Sequence, residues 1–210
     1  MKMSKGSNKT TVIRSFMHHE FPGVLMVRFN DDPVSTVNRL SDAVLMFNTQ
    51  VELIGVNLLN APFIKSGYIE FNHDLDNFIE NRFSSLNLDI DIDRTNYFVC
   101  GRIKKVEDHT LSDHLHVCTV DIGNKDIRIV CGSENVNENM LVVVALPNAV
   151  LPDGTFISEG KVAGVPSQGM LCSLSEITGG KKPVRGLIEL PKGTECGSNV
   201  DIAGLGETLC

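Results

Sequence analysis

From Tyr97 onward no apolar run outlasts a short strand, and Gly, Asn or Asp interrupts each one. Runs at 98–106, 115–121, 127–131 and 140–146 precede turn-rich hairpins around Pro152-Asp153-Gly154 and from Pro166 to Gly169, and a late run, GLIEL, occupies 186–190. Short strands separated by turn formers predict a small barrel or sandwich, and about five main strands is the number an OB-type barrel uses. The residues after Gly193 are Gly-rich and read as a loose cover or an interface element.

Within this half, Gly160 to Glu176 (GKVAGVPSQGMLCSLSE) is dense in small residues and poor in charge. Its Gly and Pro residues supply bends, and its Val, Met, Leu and Cys residues suit an interior. The segment predicts two short strands about a tight bend, then a short helix. Ser167 and Gln168 are expected at the bend with hydroxyl and amide facing outward, where they could meet a polar ligand. A plain β-corner without a ligand is the alternative.

The first half has a different rhythm. Residues 1–10 are a polar leader. Thr11 to His18 and Val24 to Asn30 read as strands, as do Ala43 to Asn48 and Val51 to Leu59, the last two joined at Thr49-Gln50. Asn72 is placed to cap a helix in which Leu75, Phe78, Ile79, Arg82, Phe83 and Leu86 form one stripe, apolar except for Arg82. A helix on a small antiparallel sheet makes residues 11–90 an α+β domain. LDIDIDRTN, 88–96, alternates as an exposed connecting strand would. As a calcium loop starting at Asp89 it fails, because Arg94 and Cys100 stand where Gly and Glu are required. The barrel domain then spans 97–200, with 201–210 as a tail.

The net charge is −7 over 210 residues, so no global positive field attracts nucleic acid or anionic lipid. Neither an apolar leader segment nor a membrane-length run occurs, which places the chain in the cytoplasm, away from membranes, with its six cysteines reduced.

Seven ordered segments carry a resemblance: CGRI (100–103), HTLSDHL (109–115), TVDIG (119–123), IVCGSENV (129–136), VVVALPNAVLPDG (142–154), GVPSQGMLCSLSEI (164–177) and GLIELP (186–191). Together they resemble the tRNA-binding OB domain of the phenylalanyl-tRNA synthetase β chain and of free-standing tRNA-binding proteins. With FNTQVELIGVNLLNA (47–61) ahead of a lone domain of this kind, the architecture looks like the bacterial YtpR-type tRNA-binding proteins. The resemblance implies an α+β domain followed by an all-β OB barrel. It also implies non-catalytic binding of tRNA or other folded RNA in trans, a homodimer, and association with an aminoacyl-tRNA synthetase. It puts RNA contacts on Ser167, Met170 and Asn135. Two cations common among relatives are replaced here, by His114 and Ala163.

The residues themselves qualify how RNA would be held. Residues 97–210 contain only Tyr97, Phe98 and Phe156 as aromatics, against the stacking platforms that grip single strands. Shape-based contact with folded RNA is the better mechanism. The same residues hold ten Lys and Arg against fourteen Asp and Glu, net −4, so local patches must do the binding. Candidates are Arg102, Lys104 and Lys105, Lys125 and Arg128, Lys161 with Gln168 nearby, and Lys181, Lys182 and Arg185. His109, His114, His116 and Cys118 lack a second ligand pair at zinc spacing, so no metal is expected, and His109 is expected to bond Asp113. Ser167 has no evident base and Cys172 lies in an apolar strand; neither an enzyme nor a cofactor is indicated. A protein-interaction scaffold with a dimeric barrel is the other reading. The apolar residues from Leu187 to Leu190 are the sequence motive for a dimer.

Overall fold

The structure, a computed structural model, describes residues 14–17, 21–62, 67–68, 73–90, 95–151, 153–178, 186–202 and 204–205. The leader, Asn72, Lys181, Lys182, Arg185 and the last five residues lie outside these.

The first half forms a six-stranded antiparallel sheet. Its strands are β1 (Arg14–Met17), β2 (Leu25–Arg28), β3 (Thr36–Arg39), β4 (Ala43–Phe47), β5 (Leu53–Leu58) and β6 (Gly67–Tyr68), in the order β3-β4-β5-β2-β1-β6. Helix α1 (His73–Ser85) places Leu75, Ile79 and Phe83 on a core of Leu25, Val27, Ala43, Val56 and Leu58. Arg82 belongs to this stripe for a reason the pattern alone does not show. Its guanidinium donates to the carbonyls of Asp42, at 2.6 Å, and Leu59, at 3.0 Å, and pairs with the Asp42 carboxylate at 2.9 Å. Thus one side chain ties the helix to the β3–β4 turn and to the end of β5.

Two expectations here need correction. β3 was not expected, because all four of its residues are exposed and TVNR carries no buried phase. Leu88 to Ile90 is not a strand; Leu88 and Ile90 turn onto the core beneath the helix, which removes their apolar surface from water.

The second half contains β7 (Phe98–Asp108), β8 (His116–Asp121), β9 (Asp126–Cys131), β10 (Leu141–Ala145), β11 (Gly160–Val162), β12 (Val165–Ser167), β13 (Met170–Leu171) and α2 (Leu174–Ile177). Five of these strands, in the order β13-β10-β7-β8-β9, curl into a nearly closed barrel. Val99, Ile103, Val120, Ile129, Val142 and Val144 fill its interior. A second core lies outside β7 and β10, where Phe98, Cys100, Leu141, Val143 and Ala145 meet Ala149, Leu151, Leu174, Ile188, Leu190 and Val200. Buried on both faces, β10 reads as the unbroken run LVVVA. Gly101 faces the interior, where a Cβ would stand 2.5 Å from Val144 Cγ2 and 2.7 Å from Val120 Cγ1.

The late run and the residues from Ser198 to Val200 are neither loose nor free. Ile188 N–H donates to Cys172 O and Leu190 N–H to Leu141 O, while Cys100 N–H donates to Ser198 O and Val200 N–H to Phe98 O. Leu187, Ile188 and Leu190 are therefore buried in their own fold, and are not available to face a second copy. The tight bend also moves: β11 and β12 pair Gly160 with Ser167, so the two-residue turn is Ala163-Gly164, at φ +46° and +86°. Both residues are left-handed, as the twist of a two-residue hairpin requires.

Candidate nucleic-acid interface

Ser167 faces inward, not outward, and the half-buried Gln168 turns its amide onto the edge of β9. Ser167 is 6% exposed. Its Oγ accepts from Val130 N–H at 3.1 Å and donates to Gly169 O at 3.1 Å. Gln168 N–H donates to Arg128 O at 2.8 Å, and Gln168 Oε1 accepts from Arg128 N–H at 3.1 Å. β9 pairs with β8 on one side only, leaving every second N–H and C=O on its other edge in need of a partner. Ser167 and Gln168 supply those partners and close the barrel. Gly169, at φ +140°, lets the chain pass β10, because a Cβ there would stand 2.6 Å from Ala145 O.

Asn135 plays a similar part. Its Oδ1 accepts from Leu187 N–H and from the Ser133 hydroxyl, each at 2.8 Å, and its Nδ2 donates to Leu187 O at 3.2 Å. Next to it opens a cleft of about 780 Å³, with Ser133, Glu134, Asn135, Met170, Ser175 and Glu176 in its lining. Met170 is half-buried there. Among the described lining residues the charged groups are both carboxylates, Glu134 and Glu176. Glu176 also accepts from Ser173 N–H at 2.6 Å, forming the capping box of α2.

The cations gather elsewhere. Register places Arg102 beside Asp121 and Asp126, and Lys105 beside Thr119 and Arg128, in rows across the outward face of β7, β8 and β9. A bulge in β7 between Ile103 and Lys105 adds Lys104 to the same surface. Lys104 pairs with Asp126 at 2.9 Å and Lys105 with Glu107 at 2.8 Å. Those bonds hold the Lys104 ammonium above its ordinary pKa and the Glu107 carboxyl below its own. Arg128 joins this face to the Gln168 seam, and Lys161 stands exposed on the β11–β12 hairpin beyond it. Of the sequence candidates, then, Arg102, Lys104, Lys105 and Arg128 share one face, Ser167 and Gln168 form its border, and Asn135 and Met170 lie in the cleft. The acidic lining of the cleft was missed, since Glu134 and Glu176 are 42 residues apart in sequence.

His109 does not bond Asp113 as expected. Its Nδ1 accepts from Leu111 N–H at 3.1 Å, which fixes the loop from within. No group of three or more metal-ligating side chains occurs among the described residues. Cys100, Cys118, Cys131, Cys172 and Cys196 are free thiols. Burial pushes Cys100 up to about 11 and Cys118 up to about 12, and also raises Cys131 and Cys172, so these four remain protonated at neutral pH.

Residues 98–199 match a family model described as "Putative tRNA binding domain". The "Putative tRNA-binding protein YtpR" of Bacillus subtilis is 34% identical over 147 residues, 65% of this chain and 71% of that protein. The chain belongs to the YtpR family. Its barrel half is also similar to the phenylalanine–tRNA ligase β subunit of Latilactobacillus sakei, 49% identical over 80 residues; this covers 38% of the chain but 10% of the ligase subunit. A MetRS-related protein from Pyrococcus horikoshii superposes with a TM-score of 0.38 at 22% identity, covering 62% of this chain and 98% of that one. No helix of the described YtpR-family chain is long and apolar enough to cross a membrane.

Proposed function

We propose that the chain binds the folded body of tRNA, in trans and without catalysis, through the outward face of β7, β8 and β9. The observation that carries this reading is the placement of Arg102, Lys105 and Arg128 on one face of a barrel that has no fully exposed aromatic ring among its described residues. Phe98 is buried, and Tyr97 and Phe156 are half-buried. A cationic face without a stacking platform suits phosphates and ribose hydroxyls held in a fixed shape. Two half-buried rings make no stacking platform for a single strand. Ser167, Gln168 and Asn135 serve the site by holding the barrel edge and its loops in place, Lys161 extends it along the hairpin, and Met170 borders it.

In this reading the barrel is an OB fold, 11–90 is an α+β domain of its own, the compartment is the cytoplasm, and an aminoacyl-tRNA synthetase is among the partners. The test is competition between tRNA and an unstructured RNA of equal length for the full chain. Folded tRNA should bind far more tightly; equal affinity would contradict the proposal. A scaffold role is the second reading, supported by the net −4 of the barrel half and the Lys104–Asp126 and Lys105–Glu107 pairs that already neutralise two of its cations. Salt-insensitive self-association with no retained RNA would select it.

A further inference from the structure

The outward face of β7, β8 and β9 is not uniformly cationic, and register sets the order of its charges. Three rows cross the strands: Arg102, Asp121 and Asp126; then Lys105, Thr119 and Arg128; then Glu107, Val117 and Val130. The middle row offers two cations with a hydroxyl between them. Carboxylates stand in the rows on either side of it, and same-face residues along a strand are about 6 to 7 Å apart. The bulged residue Lys104 adds one more cation beside the first row. A phosphate seated on Lys105 and Arg128 therefore has a carboxylate row to each side.

Those carboxylates differ in what they do for the fold. Asp121 Oδ1 accepts from Gly123 N–H at 2.8 Å and so fixes the β8–β9 turn. Asp126 and Glu107 are exposed, and their bonds are to cations. Lys104 Nζ donates to both oxygens of Asp126, at 3.2 and 2.9 Å, and Lys105 Nζ to Glu107 at 2.8 Å. The charge of Arg128 also acts on Glu107. Pairs this exposed add little to folding. Their effect falls on what approaches the face. A phosphate aimed at Lys104 meets the Asp126 carboxylate, and phosphate offers acceptors only. A ribose 2′-hydroxyl is a donor, and a carboxylate already paired with a lysine keeps lone pairs to receive it.

We infer that Asp126 and Glu107 are specificity residues of this face: they turn away a polymer that is anionic all along its length, and they accept ribose hydroxyls on either side of a phosphate held by Lys105 and Arg128. The inference rests on the RNA reading above and deepens it. An RNA helix presents the matching pattern, with 2′-hydroxyls along the minor groove beside its phosphates. Lys105 has three N–H donors, so it can keep Glu107 and still reach a phosphate. A flexible DNA strand carries a phosphate at every nucleotide and no 2′-hydroxyl. Wherever it follows the face beyond the middle row, it sets like charges together, which rejects it.

The test measures binding of the full chain to tRNA and to single-stranded DNA of equal length across a salt series. The parent should prefer tRNA. Asp126→Asn combined with Glu107→Gln keeps an acceptor at each place and removes only charge. It should raise DNA affinity roughly tenfold and tRNA affinity less than about threefold. The salt slope for DNA should steepen by ~1.4, since two freed lysines each add ~0.7 on a single strand, while the slope for tRNA stays put. Asp126→Ala combined with Glu107→Ala also removes the acceptors, and should bind tRNA several-fold more weakly than the amide pair does. Circular dichroism melts of both double variants should match the parent. Equal gains for the two polymers, no gain for either, or equal tRNA affinity in the alanine and amide variants overturns the inference and leaves the RNA reading standing. A parent that retains neither polymer overturns both.

Discussion

The two sheets of this protein treat their edges in opposite ways. In the barrel, the open side of β9 is closed by Ser167 and Gln168, and the 187 segment is held by the amide of Asn135, so side chains stand in for a missing strand. In the first sheet, β3 has no such partner among the described residues and keeps its apolar side chains in water. The barrel also buries β7 and β10 between two cores, whereas the first sheet carries one helix on one described core. A nearly closed barrel offers a fixed surface, which suits recognition of a rigid shape.

The largest expected effect comes from filling the barrel. Gly101→Val inserts atoms where Val144 and Val120 already stand, and should destabilise the barrel by about 3 kcal/mol. Calorimetry that showed the parent's melting profile would break the contrast between a filled barrel and a single-sided sheet. Next is the seam. Ser167→Ala leaves Val130 N–H buried without an acceptor, and should cost about 2 kcal/mol in a denaturant titration while Val37→Lys costs almost nothing. Ser167→Phe cannot probe RNA contact alone, because the ring has no room in a buried seam.

The smallest effect is in pH. All six cysteines lie in the second half, so alkaline destabilisation through thiols belongs to the barrel. Cys118 titrates at about 12 in the fold, above its unfolded value of roughly 8.5. The unfolded chain therefore loses that proton first. The stabilisation is fully present below roughly pH 8.5 and is lost as pH rises through the interval to about 12. Melting temperatures measured across the accessible part of that interval should fall less steeply in Cys118→Val than in the parent.

Elements defined by local pattern were legible in the sequence. The apolar stripe of α1, the run LVVVA and the short strands from Phe98 to Ala145 each follow from which side chains face a core. What escaped the pattern was long-range hydrogen bonding. Nothing near Ser167 in sequence shows that its hydroxyl will accept from Val130, 37 residues away, and a Ser-Gln pair beside two glycines reads equally well as an exposed turn. β3 escaped for another reason: an edge strand without a buried face has no alternation to detect. The cationic face was legible only as separate residues, since the register that aligns Lys105, Thr119 and Arg128 depends on a bulge.

The most direct measurement is the salt dependence of tRNA binding. With the outward face of β7, β8 and β9 as the contact surface, each lost phosphate contact should flatten the slope of log affinity against log salt by ~0.7 to 0.9. Arg102, Lys105 and Arg128 changed together to Gln should therefore flatten it by roughly 2 to 3 while leaving the melting profile unchanged. A folded triple variant that kept the parent's slope and affinity would contradict the assignment of RNA to this face.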